Sequence, residues 1–173
     1  MNTTKPSCKN LDSLLVMLSD TDGMIRQSAR ESLVGMGGMA VMPLTRALQN
    51  STSNQVRWEA AKALGALGDV RSIQSLVKAL EDKDSDVVWL AAEALSSFGS
   101  TAWPTLLKAL IIEGTESPIL RQAAHHVFAN QKEGGFHDSV AILLSALEAG
   151  KLPEAAPMAA IELLKQLNAH HAP

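Results

Sequence analysis

The chain has 173 residues, 46 % of them apolar but only 3 % aromatic, with no Tyr, one cysteine (Cys8) and a formal net charge of −3. Such a composition implies an aliphatic, alanine-rich core of closely packed helices rather than a β-sandwich. It also argues against a nucleic-acid groove on bulk charge, and a single cysteine excludes an internal disulfide framework or a cysteine-based zinc site.

Residues 1–10 (MNTTKPSCKN) read as a disordered polar leader without the apolar centre of a signal peptide. No apolar run approaches the ~18 residues of a membrane span, so a soluble, cytoplasmic protein with no membrane contact is expected. An internal repeat then begins. The segment 56–68, VRWEAAKALGALG, returns 31 positions later as VVWLAAEALSSFG (87–99), and IRQSARESLVGMG (25–37) precedes it by the same interval. A fixed period of this size signifies one helical hairpin, copied and stacked.

The first helix of each pair, A, carries an apolar stripe at i, i+3, i+7: Leu11, Leu14, Leu18, then Val41, Leu44, Leu48, then Ile73, Leu76, Leu80. Trp103, Leu106, Leu110 and Val140, Leu143, Leu147 continue it. The second helix, B, carries Ile25, Ala29, Leu33, Met36, then Val56, Ala60, Leu64, Leu67, then Val87, Ala91, Leu95, Phe98. Leu120, Ala124, Phe128 and Ala156, Ala160, Leu164, Leu167 follow at looser offsets. Small alanines let B approach A, and Gly37, Gly68 and Gly99 stand where a left-handed helix end is expected. Pro43 and Pro104 are expected in the first turns of their A helices, and the links at 19–23 and 81–86 supply N-caps. The predicted fold is an all-α, right-handed solenoid of five hairpins, at 11–37, 38–68, 69–99, 100–132 and 136–167, with a tail at 168–173.

Val56-Arg57, Ala60-Ala61, Leu64-Gly65 and Leu67-Gly68 in B, with Pro43-Leu44 and Ala47-Leu48 in A, resemble the HEAT-like repeats of the phycobilisome-lyase type. The resemblance covers residues 11–167 and is specific for fold more than for activity. It implies either an interaction scaffold or a bilin-lyase-like, tetrapyrrole-handling subunit. Val88 and Pro157 stand where the repeat pattern carries arginine, which breaks any ladder of arginines there.

In such a stack the non-core positions of the B helices form columns along the concave face. One column reads Gln27, Trp58, Trp89, Gln122, Met158; its neighbour reads Glu31, Lys62, Glu93, His126, Glu162. Two tryptophans in register are the leading candidates for a partner-binding surface, against the simpler reading that they wedge between B helices. Trp58, Trp89, Leu90 and Gln122 are expected to face the partner, with Glu59, Lys62, Glu93 and His126 around them. The mixed charges of the second column read as an internally paired surface, and no metal is expected at His126. Arg26, Arg57 and Arg121 share one position and are expected to pair with link carboxylates such as Asp22 or Asp86. Trp103 is expected in the core. No nucleophile elbow, phosphate loop, HExxH or CxxC occurs, so no catalytic residue and no cofactor is assigned. The sequence reading is therefore a non-enzymatic scaffold with a protein partner, nucleic acid disfavoured, and chromophore handling as the alternative.

Overall fold

The computed structural model describes residues 8–129, 131, 135–148 and 151–170. The expected disorder of residues 1–7 and the glycine-rich turn at 132–134 therefore lie outside the described residues. Ten α-helices alternate as A and B among them: α1 (Cys8–Met17), α2 (Gly23–Gly35), α3 (Gly38–Asn50), α4 (Asn54–Leu67) and α5 (Ile73–Ala79). They continue as α6 (Ser85–Ser97), α7 (Trp103–Glu113), α8 (Pro118–Ala129), α9 (His137–Leu147) and α10 (Ala155–His170). No strand occurs among the described residues, and no helix is long and apolar enough to cross a membrane. The helix α1 begins at Cys8, inside the expected leader, and α10 runs into the expected tail.

The links between A and B start the B helices as polar N-caps should. Asp22 accepts from the Met24 amide at 2.8 Å, Ser53 from the Val56 amide at 3.4 Å, and Asp84 from the amides of Asp86 and Val87 at 3.1 and 3.3 Å. Gly37, Gly68 and Gly99 all have φ near +60°, a backbone that L side chains avoid, and Gly68 closes α4 as a left-handed cap onto the Leu64 carbonyl. Pro104 lies in the first turn of α7, but Pro43 lies within α3, because that helix starts already at Gly38. The corresponding stretches before α5 and α7 are single 3₁₀ turns, Val70–Ser72 and Gly99–Thr101.

The stripes meet in one aliphatic core. Leu18, Val41, Leu44, Leu76, Leu80, Leu106 and Leu110 from the A helices, with Ala29, Leu33, Ala60, Leu64, Ala91 and Leu95 from the B helices, are completely or almost completely buried. At roughly 2 kcal/mol per buried leucine, this seam is the main source of stability. Successive B helices pack side by side, most closely α4 on α6. Gly65 permits this, since a Cβ placed there would stand 3.0 Å from the Cβ of Ala94.

The fifth hairpin departs from regular stacking. Its helix α10 packs chiefly along α7 and α9, while α9 touches α8. Four helices, α7 to α10, thus close around a small aromatic centre. Trp103 is fully buried there, 5.5 Å from the Phe128 ring and 6.1 Å from that of Phe136, which in turn meets His170 at 5.6 Å. In α10 the turned-in residues are Ala156, Ala160, Leu163 and Leu167, with Leu164 only half-buried. The stripe expected through Leu164 is rotated because α10 faces α7 and not the preceding B helix.

Candidate functional site

The recurrent arginine ties its own hairpin together and, at Arg26 and Arg57, joins it to the next. Arg26 donates to the carbonyls of Asp20 and Thr21 at 2.8 and 3.1 Å, Arg57 to that of Ser51 at 3.0 Å, and Arg121 to those of Gly114 and Thr115. Arg57 and Arg121 thereby meet the C-cap residues of α3 and α7, where the helix dipole favours a cation, while Arg26 holds the link that follows α1. The first two also reach into the next hairpin. Arg57 grips Asp82 with two bonds, Nε to Oδ2 at 2.7 Å and Nη2 to Oδ1 at 2.8 Å, both side chains being largely buried. The Asp82 bond and its charge hold the Arg57 pKa above its ordinary value. Arg26 lies 3.3 Å from Glu59 Oε1, and Arg30 pairs with the other carboxylate oxygen. The expected partners Asp22 and Asp86 do not take this role: Asp22 caps α2 at the Met24 amide, and the carboxylates that meet Arg26 and Arg57 are Glu59 and Asp82. Asn54 joins the same hairpins, donating to Asp84 at 2.7 Å and, as the first cause, lowering the Asp84 pKa.

Two of the residues expected on the partner-facing surface are interior. Glu59 is 2 % exposed and bound by Arg26, Arg30 and Gln55, so it serves the hairpin interface instead of a rim. Leu90 is buried in the core cluster, on the flank of α6 that turns to α4 one helical turn before Ala94. The others behave differently. Trp58 is half-buried against the core, with the Lys62 ammonium 4.6 Å from its ring centroid, a cation–π contact. Trp89 is 56 % exposed. Gln122 is exposed on α8, and His126 on the same helix lies 2.6 Å from Glu93 of α6. The column of mixed charge is thus internally paired at this step, and no group of three or more His, Cys, Asp or Glu converges on a metal position among the described residues.

The tryptophans border separate depressions. Trp58, Lys62, Arg26, Arg30 and Glu59 line a polar one between α2 and α4. Trp89 lines a more apolar groove of about 400 Å³ between α6 and α8, with Val88, Ala92, Ile119 and Ala123 as its walls and Gln122 and His126 beside them. Ile119, itself 54 % exposed, adds to the apolar surface. The sequence reading missed Ile119, Ala92 and Ala123. For Ala92 a signal was available, because it stands at the position that Arg30 holds in the first hairpin. The column does not continue evenly beyond α8: Met158 is exposed on α10, whose packing against α7 takes it off the regular register.

A sequence profile of HEAT repeats matches residues 11–96 and 41–129. The chain is a HEAT-repeat protein. Two curated relatives place its repeats with the phycobilisome-lyase type that the motifs resembled. An uncharacterized phycocyanin operon protein Z from Pseudanabaena tenuis is 30 % identical over 118 residues, covering 64 % of this chain and 57 % of that one. A phycocyanobilin lyase subunit alpha from a Picosynechococcus species is 32 % identical over 94 residues, covering 51 % of this chain and 35 % of that one. This HEAT-repeat chain therefore spans little more than half the length of the first relative and about a third of the second.

Proposed function

We propose that the chain is a non-enzymatic HEAT-repeat scaffold that binds a protein partner through its B-helix face, centred on the α6–α8 groove. The observation that carries this is Trp89, more than half exposed above an apolar trough formed by Val88, Ala92, Ile119 and Ala123. A large indole left in water beside aliphatic walls is the arrangement that partner-binding hot spots use. The polar rim comes from Gln122 and the Glu93–His126 pair, while Trp58 and Lys62 form a second, already self-satisfied contact. The test is affinity capture from the organism of origin with the wild-type chain and with Trp89→Ala. Loss of a specific co-purifying protein at unchanged thermal stability is the expected result; an unchanged set of captured proteins refutes the proposal.

A second reading, tetrapyrrole handling, is favoured by the name of the phycocyanobilin lyase subunit that the chain resembles and by the same apolar groove. On that reading the groove takes a bilin and a second, related subunit completes the activity. Titration of phycocyanobilin followed by absorbance decides it, since a bilin held against Trp89 changes its spectrum and a free one does not.

A further inference from the structure

The second and third hairpins share one motif, yet two cations present in the second are replaced in the third. Thirty-one residues after Arg57 stands Val88, and thirty-one after Lys62 stands Glu93. In the second hairpin both cations act on their own chain. Arg57 caps α3 at the Ser51 carbonyl, 3.0 Å away, and the Lys62 ammonium lies 4.6 Å from the Trp58 ring centroid. The counterpart of Ser51 in the third hairpin is Asp82, at the carboxyl end of α5, and α6 carries no arginine to meet its carbonyl. The counterpart of Trp58 is Trp89, which has an acid in place of the lysine, and that acid is turned to His126. Asp82, Val88 and Trp89 line one groove.

We propose that this groove receives a basic segment of the partner protein. An arginine lies over Trp89 with its guanidinium toward the Asp82 end of α5, and an aliphatic side chain one turn away fills the trough between Val88, Ala92 and Ile119. The partner supplies in trans the two interactions that the second hairpin makes in cis: a cation at a helix carboxyl end and a cation over an indole. Charge complementarity supports the choice of a basic occupant. Replacing Arg57 and Lys62 by Val88 and Glu93 removes two positive charges and adds a negative one; Asp82, already shared with Arg57, lines the groove, and Glu93 pairs with His126, which also lines it. Lys83 and His126 also border the groove, and Arg57 already holds the Asp82 carboxylate, so the arginine is placed by the Trp89 ring and the carbonyl end of α5. The inference rests on the protein-binding reading and adds the chemistry of the partner.

The probes are helical peptides of roughly 15 residues in an alanine–glutamine host, long enough to sample helix in water. One carries a leucine and an arginine one turn apart, a second has citrulline (a neutral isostere) for the arginine, and a third has alanine for the leucine. Binding is read on the Trp89 indole N–H resonance, assigned with Trp89→Phe, with the Trp58 indole as an internal reference. The arginine peptide should shift the Trp89 signal saturably and bind at least about fivefold tighter than the citrulline peptide, the size expected of a solvent-accessible cation–π contact plus a charge-assisted hydrogen bond. Val88→Arg should abolish the shift, its own guanidinium occupying the place, while leaving the Trp58 signal unmoved. Equal binding of the citrulline peptide, or undiminished binding to Val88→Arg, overturns the basic-partner inference. Silence of the Trp89 signal with all three peptides overturns it as well. The protein-binding reading fails separately, if capture does not depend on Trp89.

Discussion

The Arg57–Asp82 bridge offers the sharpest test of how neighbouring hairpins are joined. Arg57→Val gives the second hairpin the residue that the third carries naturally at Val88, so the backbone tolerates it. The change removes two charge-assisted bonds of 2.7 and 2.8 Å between largely buried side chains and one bond of 3.0 Å to the Ser51 carbonyl. Breaking a buried pair by deleting one partner costs roughly 3–5 kcal/mol. The lower end applies, because Asp82 keeps the Asp84 amide, 2.9 Å away, and borders open depressions. About 3 kcal/mol corresponds to a fall of roughly 6–12 °C in Tm for a chain of this size. Arg121→Val is the control, since its bonds are to the carbonyls of Gly114 and Thr115 and no carboxylate partner is lost; about 1 kcal/mol is expected there. Urea and thermal unfolding followed by circular dichroism measure both, and a double-mutant cycle with Asp82→Asn isolates the pair. A cost for Arg57→Val below about 1 kcal/mol, or equal costs for the two arginines, would refute the assignment of Arg57 as an inter-hairpin bridge.

Further outcomes follow from the same contacts. Trp89→Ala should change stability by no more than about 0.5 kcal/mol, whereas Trp58→Ala should cost roughly 2 kcal/mol, half the transfer value of a fully buried indole; paired unfolding curves test the split. Glu59→Ala should cost about 3 kcal/mol, because Arg26 and Arg30 lose their shared buried carboxylate, and adding Arg30→Ala should recover part of the loss. The neighbouring Glu81 carboxyl raises the Glu113 pKa, with Lys78 opposing. A folded-state pKa above the unfolded one favours folding at acid pH, and that contribution is lost as pH rises through the folded value. Glu113→Gln should therefore match the wild type near pH 4 and exceed it in stability near pH 7, as read from Tm against pH.

Most of the fold was legible because its signal is repeated. The 31-residue period and the i, i+3, i+7 stripes identify the same faces that are buried, from Leu44 and Leu76 in A to Ala60 and Ala91 in B. The end of the stack was not, because α10 carries Leu163 and Leu164 side by side, and which of them turns inward depends on whether it meets α8 or α7. Trp58, Trp89, Lys62 and His126 are half-buried or exposed on the B helices, as their column positions suggest. Glu59 and Leu90 follow tryptophans along the chain, which suggests a shared face, but both are buried. In fact they occupy one equivalent position, 31 residues apart, on the flank that B helices turn toward each other. Glu59 is a charged residue there only because Arg26 and Arg30 reach it from the preceding hairpin, a pairing that no local pattern announces.

A solenoid of equivalent hairpins makes departures from the repeat informative in a way that a closed globule does not. Where each unit meets only its neighbours, a substitution acts on one or two interfaces, and the intact units serve as internal references. Arg26, Arg57 and Arg121 define what their shared position does for the fold: it binds carbonyls at or just after the end of an A helix and, in two cases, bridges to the next unit. Val88 does neither, although it sits in the best-formed part of the stack, between α4 and α8. Its hairpin keeps its place through Arg57 from one side and through the Glu93–His126 contact on the other. The surface released by that exchange is the apolar groove under Trp89. Loss of a structural cation and gain of an exposed indole thus occur at adjacent residues of one helix, which is why the proposed binding surface is centred there and not on the chemically similar but self-satisfied neighbourhood of Trp58.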